Sequence, residues 1–189
     1  VHNDEKDGLD ECWIPYDAYR KPCEKDKGEK HLTDDEVNYY LNAIRNKIGD
    51  TGKMLVVIDA CHSGGATRGD EDEVVRGVED IFEAIKSFIW GTSADNGKAD
   101  VNPNAKENKE RWITISACKS DQVNIEMKSP AVGKLTYAIY NKVKENTGND
   151  NYDFIRRIRK FVNSNTGSRP QYPEMTGETD RYRITDIIQ

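Results

Sequence analysis

The sequence lacks several features that would place it in common functional classes. Its 189 residues contain no apolar run approaching the ~20 that cross a bilayer, and its formal net charge of -6 comes without a basic stripe. Neither a membrane nor a nucleic acid is therefore expected as the main partner. The sequence also has no GxxxxGK[ST] loop for nucleotide phosphates and no GxSxG turn of a serine hydrolase. Chemistry of those two kinds therefore fits the sequence less well.

The four cysteines lack the close, regular spacing of a disulfide framework. Cys12, Cys23, Cys61 and Cys118 are far apart, which is typical of free thiols in a reducing compartment and predicts a cytoplasmic protein. A zinc site made of Cys12, Cys23 and His31 is a minor alternative, because the separations of these residues match no common ligand pattern.

Alternating helix and strand patterns predict an open α/β fold. A capping box of Thr33 and Glu36 begins the first helix, which Gly49 ends. Fully apolar, β-branched runs predict strands that are buried on both faces of a parallel sheet. Strands are predicted at 54–58 and 112–116, helices at 134–146 and 152–163, an edge strand around RPQYPEM, and an apolar face on the first helix made of Val37, Tyr40, Leu41, Ile44 and Ile48.

Residues 66–110, between the two predicted strands, change in character. They begin with the acidic GDEDE, continue with a short helical pattern in VEDIFEAIKSFIW, and end in a polar stretch with Gly97, Pro103 and several asparagines. Such a long polar segment between core strands predicts an exposed linker or insertion.

The strand predicted at 54–58 runs into DACHSGG (59–65), where reactive side chains gather. In open α/β sheets reactive groups lie at the carboxyl ends of parallel strands, which is where Cys61 falls. Cys61 as a small buried hydrophobe is the alternative, but Asp59, His62 and Ser63 would then need polar partners in the core. The two glycines allow backbone N–H groups to face a developing oxyanion. We interpret Cys61 as a nucleophile.

DACHSGG closely resembles the nucleophile motif of the caspase-like cysteine peptidases (family C14), in particular the metacaspase branch and its bacterial relatives. Further segments resemble parts of that family in the family's order: DEKDGLDECWIPYD, HLTDDEV, ITISACKSDQVNIEM, GKLTYAIY and RPQYPEM. The resemblance implies a three-layer α/β/α caspase-like fold with a mostly parallel sheet and a cysteine endopeptidase with Cys61 as nucleophile. It divides one domain into a large-subunit-like part (1–65), the linker (66–110) and a small-subunit-like part (111–189).

The chain departs from this family in its histidines. The family uses a histidine in a Gly-His-Gly context, and none of His2, His31 and His62 has that context. His31 precedes a helix cap and is expected to be a solvated loop residue. We expect the catalytic histidine and the first strands upstream of Val1, in the other half of the same domain, so that this fragment alone is inactive. The alternatives are a non-catalytic caspase-like module that binds proteins and an Arg-specific peptidase of a related family with the same fold.

The resemblance also assigns roles to two sets of carboxylates. Asp59 falls in the pocket for a basic P1 residue, so cleavage after Arg or Lys is expected; the alternative is that Asp59 only accepts backbone N–H bonds at the turn. Asp17, Asp34 and Asp35 fall near the family's activating calcium site, and carboxylates are the ligands that calcium prefers. Taken alone they are ordinary turn and first-turn acids. The chemistry itself requires no cofactor.

The resemblance finally predicts self-cleavage within the linker, because peptidases of this family often process themselves there. Lys98, in ADNGKAD, has the most flexible surroundings, since Gly97 stands beside it and no apolar periodicity surrounds it. Lys98 is therefore the expected first site, and Arg76 the second.

Overall fold

The computed structural model describes seven stretches of the chain, which belong to two compact units. The first unit comprises Val1–Gly49 and Asp80–Glu107, and the second comprises Asp50–Glu79 and Asn108–Gln189. No helix among the described residues combines the length and the apolar character that crossing a membrane requires. The described stretches are 12–19, 23–60, 73–76 (backbone only), 110–119, 122–145, 150–164 and 170–188.

In the first unit a two-stranded antiparallel ribbon leads into a helix. Strands β1 (Cys12–Trp13) and β2 (Leu32–Thr33) pair through Cys12 with Thr33 and through Trp13 with Leu32. Helix α1 (Asp34–Ile48) follows. The predicted capping box is confirmed, because Glu36 N donates to Thr33 Oγ1 (3.3 Å) and Thr33 N donates to Glu36 Oε2 (3.1 Å).

Helix α1 ends as predicted but does not bury the face that was predicted to be apolar. Gly49 follows its last turn with a φ of 70°, a left-handed value that favours glycine, and donates its N–H to the Arg45 carbonyl. Tyr40 and Ile44 are exposed by 59% and 50%. The buried residue of α1 is instead Arg45.

The second unit contains two three-stranded sheets and two helices. One sheet has the strand order β3-β5-β8, with β3 parallel to β5 and β8 antiparallel to β5; the other has the order β4-β6-β7 and is antiparallel. The elements are β3 (Leu55–Ile58), β4 (Glu73–Arg76), β5 (Ile113–Ser116), β6 (Asn124–Lys128), β7 (Ala131–Gly133), α2 (Lys134–Lys144), α3 (Asn151–Ser164), β8 (Glu174–Gly177) and a short 3-10 helix (Ile184–Asp186).

The core of the second unit lies between strand β5 and helices α2 and α3. Ile113 and Ile115 are fully buried and pack with Leu135 of α2 and Ile158 of α3. Full burial of one such aliphatic side chain contributes about 1.5–3 kcal/mol. Strands β3 and β5 and helices α2 and α3 are present within two residues of their predicted bounds, whereas β8 contains only the last two residues of RPQYPEM and extends to Gly177.

Strand β4 was not predicted from the sequence. It lies in the segment 66–110, where no strand was predicted, and pairs with β6 from Glu73 opposite Met127 to Arg76 opposite Asn124. Its apolar part is only Val74 and Val75 between charged residues, which is too short to give a periodic signal. The helical pattern VEDIFEAIKSFIW and the rest of this segment lie outside the described residues, except Glu110.

Candidate active site

The carboxyl ends of the two parallel strands meet at one edge of the β3-β5-β8 sheet. Ile58, the last residue of β3, stands opposite Ser116, the last residue of β5. The backbone continues this pairing by one step, because Ala117 N donates to the Ile58 carbonyl over 2.9 Å. Asp59 follows directly after β3 and therefore lies where parallel α/β sheets hold their reactive groups.

The carboxylate of Asp59 is held by donors from two other elements. Its Oδ1 accepts a hydrogen bond from Asn124 Nδ2 (2.8 Å), at the start of β6. Its Oδ2 accepts bonds from Thr136 N (3.0 Å) and from Thr136 Oγ1 (2.5 Å), in the first turn of α2. The N-cap residue of α2, Gly133, has no capping side chain, so Asp59 satisfies one of the free N–H groups of that turn.

Gly133 allows this close approach of the carboxylate to the helix. A Cβ atom at position 133 would lie 2.0 Å from Asp59 Oδ2 and 2.4 Å from its Cγ. Both are far below van der Waals contact, so any residue with a side chain would push the carboxylate away. The sequence reasoning gave Gly133 no role.

Two buried amides continue from Asp59 into the unit. Asn124 and Gln171 are both 0% exposed, and Gln171 Nε2 donates to Asn124 Oδ1 over 2.9 Å. Asp59 itself is only half-buried and Thr136 is exposed. The carboxylate thus lies at the accessible end of a polar chain whose other members are fully enclosed. Sequence reasoning missed both amides, which stand in segments quoted for their family resemblance but carry no motif of their own.

Cys61 lies outside the described residues, as do His2, His62 and Lys98. Its place is known from the chain alone: it follows Asp59 by two residues. Arg76 is the last residue of β4, and its backbone pairs with Asn124. The roles of these residues remain predictions.

Cys118, at the end of the neighbouring parallel strand, is a packed thiol. It is 3% exposed, and its Sγ donates to the Gln122 carbonyl over 3.5 Å. A buried thiol in such surroundings behaves as a small hydrophobe rather than as a nucleophile. Cys118 therefore offers a matched comparison for Cys61.

His31 is not the solvated loop residue that the sequence suggested. It is 8% exposed, and its Nε2 lies 2.9 Å from the Tyr19 carbonyl. Because a carbonyl only accepts, Nε2 donates to it; Cys12 Sγ lies 3.9 Å from Nδ1. Both ring nitrogens of His31 therefore have partners within the first unit.

The acidic residues predicted to bind calcium have the surroundings of turn and first-turn acids. Asp17 Oδ2 lies 3.2 Å from Lys30 Nζ, which also donates to the Asp17 carbonyl. Asp34 and Asp35 stand in the first turn of α1, where acids interact favourably with the helix N-terminus. Within the described parts of the chain, no three His, Cys, Asp or Glu side chains form a group that could hold a metal ion. This also gives no support to zinc bound by Cys12, Cys23 and His31.

Asp26 is a further carboxylate of the first unit that the sequence reasoning did not single out. It is 0% exposed, and it accepts hydrogen bonds from Tyr19 N (2.7 Å) and Gly28 N (2.9 Å). These two backbone donors lower the pKa of the Asp26 carboxyl below its ordinary value. Asp26 thus stays ionised at neutral pH and fixes the loop between β1 and β2.

Comparison with known proteins assigns the class. The chain matches the caspase domain of peptidase family C14 over residues 2–182, and no curated protein or solved structure matches it. The protein is therefore a cysteine peptidase in general terms, a hydrolase whose substrates are proteins. More narrowly, the chain belongs to the caspase domain family, so the predicted α/β caspase-like fold is confirmed. The metacaspase branch remains a prediction.

Proposed function

We propose that the protein is a cysteine endopeptidase of the metacaspase type that cleaves peptide bonds after Arg or Lys. Cys61 is the nucleophile, and Asp59 binds the basic side chain of the P1 residue. The observation that carries this proposal is the hydrogen bonding of Asp59, a half-buried carboxylate two residues before Cys61 at the carboxyl end of a parallel strand.

The surroundings of Asp59 suit the recognition of a cation. Asn124 Nδ2, Thr136 N and Thr136 Oγ1 are neutral donors that orient the carboxylate. An arriving Lys or Arg side chain would then meet a carboxylate of fixed orientation, which favours selective binding.

The proposed reaction is acyl transfer through a thioester. The Cys61 thiolate attacks the scissile carbonyl, the C–N bond breaks, and the amine leaves with a proton; water then hydrolyses the thioester and regenerates the thiol. The proposed base is a histidine in the Gly-His-Gly context of the family, which none of His2, His31 and His62 has. His31 is a poor candidate because its Nε2 and Nδ1 already have partners within the first unit.

Reporter peptides with P1 Arg, Lys or Asp test this proposal on the full-length protein. Cys61→Ala should abolish cleavage after Arg and Lys, while Cys118→Ala should retain the rate within a few-fold because Cys118 is buried. Activity of Cys61→Ala within tenfold of the wild type would refute the nucleophile. A folded full-length protein without any turnover would instead favour the non-catalytic, protein-binding module.

We also propose self-cleavage after Lys98 before Arg76. Arg76 belongs to the β4-β6 ladder, and a residue must leave its ladder before it can enter a cleft as an extended substrate. Mass spectrometry of the incubated enzyme should find the cut after Lys98 first, and Cys61→Ala protein should show none. A first cut after Arg76 would reverse this order.

Calcium as an activator is a separate proposal that rests on the family resemblance of the segment containing Asp34 and Asp35. The described residues do not form a cation site, so no catalytic step is attributed to calcium. A calcium titration of the full-length enzyme should give a saturable rise in rate. Equal rates in calcium and in a chelator would end the proposal.

A further inference from the structure

We propose that Asn124 and Gln171 are positioning residues that set the selectivity for a basic P1 residue by holding the carboxylate of Asp59. The inference rests on the proposed role of Asp59 in substrate binding. Neither amide is required to touch the substrate, because both are fully buried.

The orientation of Gln171 is fixed by two backbone groups of opposite polarity. Its Nε2 donates to the Ala117 carbonyl (3.0 Å), and its Oε1 accepts from Ile125 N (3.3 Å). A carbonyl only accepts and an N–H only donates, so the side-chain amide cannot be turned around without losing both bonds. The main chain of Gln171 is held in turn by Asn163 of α3, whose Nδ2 donates to the Gln171 carbonyl over 2.8 Å.

The orientation of Gln171 dictates that of Asn124. Gln171 Nε2 donates to Asn124 Oδ1, so the NH₂ group of Asn124 must face the other way, where it donates to Asp59 Oδ1. The donors of this series of hydrogen bonds therefore all face the same way, from Ile125 N through the two amides to the carboxylate of Asp59. Only an acceptor at position 59 completes it, and an ionised aspartate is one.

The second oxygen of Asp59 is fixed independently. Thr136 of α2 donates to Oδ2 through both its backbone N–H and its hydroxyl. With one oxygen held by Asn124 and the other by Thr136, both the position and the plane of the carboxylate are defined. A small displacement of a binding group can reduce catalytic efficiency by orders of magnitude, so loss of the Asn124 bond should reduce selectivity even though Asp59 remains.

Selectivity is measured with paired substrates in which P1 is arginine or citrulline, its neutral isostere. In Asn124→Asp a carboxylate replaces the donor that faces Asp59, and two like charges then share the site. We expect the ratio of kcat/KM for arginine over citrulline to fall about tenfold, with the loss on the arginine substrate. Gln171→Glu places an acceptor where Asn124 needs a donor, and should reduce the ratio by a smaller factor.

Asn151 provides the matched control. It is also a buried asparagine of the second unit, and its amide bonds to the Thr179 and Tyr182 carbonyls and to Ile184 N. Asn151→Asp should lower the melting temperature and leave the arginine-to-citrulline ratio unchanged. A purely structural role for Asn124 predicts the same behaviour for Asn124→Asp.

The kinetic results distinguish failure of the positioning role from failure of the proposed function on which it rests. If the wild type does not prefer arginine over citrulline, the proposed function fails. If the wild type prefers arginine and Asp59→Asn removes that preference, but Asn124→Asp and Gln171→Glu both keep the wild-type ratio, the positioning role is refuted and the function stands. Should Asn124→Asp fail to fold, Asn124→Ala removes the amide without adding a charge, and a wild-type ratio in that variant refutes the positioning role equally.

Discussion

Asp59 and Asp17, two carboxylates with predicted roles, have opposite surroundings. Asp59 accepts hydrogen bonds from Asn124 and Thr136, and a series of fully buried amides fixes one of its oxygens. Asp17 has a side chain that is 70% exposed and pairs with Lys30, which is itself 42% exposed. One site is organised before any ligand arrives, and the other would have to be assembled by its ligand. Preorganisation of this kind is what a specific substrate-binding group needs.

Replacing each aspartate with asparagine, its neutral isostere, should give the largest difference in kcat/KM between the two sites. Asp59→Asn is expected to lower kcat/KM for arginine substrates by about 2–4 kcal/mol of transition-state binding, as for a broken charge pair. Asp17→Asn should leave kcat/KM nearly unchanged when assayed without calcium. The measurement is steady-state kinetics together with a melting temperature for both variants. A lower melting temperature with unchanged P1 preference in Asp59→Asn would show that this residue is structural only.

Two glycines that each lie beside a hydrogen-bonded aspartate, Gly133 beside Asp59 and Gly28 beside Asp26, sharpen the comparison. Gly133→Ala brings a Cβ into the space of Asp59 Oδ2, so the carboxylate and the start of α2 must separate at a cost of about 1–3 kcal/mol. Gly28→Ala, beside Asp26, meets no atom within 4 Å, and its cost comes from a φ of 94° alone. Both variants should unfold at lower denaturant concentration, but only Gly133→Ala should lose cleavage after arginine. Equal activity of the two would refute the fixed position of Asp59.

The smallest effect is expected for the exposed ion pair of the first unit. Lys30→Ala removes the partner of Asp17, and exposed pairs of this kind contribute about 0–1 kcal/mol. Denaturant unfolding of Lys30→Ala should therefore differ from the wild type by less than about 1 kcal/mol. A loss above about 2 kcal/mol would mean that this pair is organised as firmly as Asp59, which would remove the contrast between the two sites.

Local sequence patterns were sufficient to predict the helices and strands around the site. They were not sufficient to predict the hydrogen bonds that join these elements. The capping box at Thr33, the apolar strands β3 and β5 and the helices α2 and α3 all carry signals within a few neighbouring residues, and they were predicted. The Asn124–Gln171 bond joins positions 47 residues apart, and a single amide in a strand or loop has no periodic partner. Such tertiary hydrogen bonds leave no trace in local sequence.

The two failures of sequence reasoning in the first unit have related causes. Periodicity marked Tyr40 and Ile44 as one apolar face of α1, but periodicity cannot say whether another surface covers that face, and both residues are exposed. His31 was expected to be solvated because it precedes a helix cap, yet it is buried because the Tyr19 carbonyl accepts a hydrogen bond from its ring. Burial of a polar side chain depends on a partner that only the fold supplies.

The most direct test of the central claim is covalent labelling with a peptidyl arginyl chloromethyl ketone, followed by mapping of the modified cysteine. We expect that the full-length enzyme is alkylated at Cys61, that Asp59→Asn greatly slows this reaction, and that buried Cys118 stays unmodified. Exposed Cys23 serves as the internal standard, because its slow reaction should not depend on the P1 residue of the reagent. Labelling of Cys61 at the same rate by arginyl and aspartyl reagents, or labelling of Cys23 alone in an enzyme that cleaves peptides, would contradict the central claim.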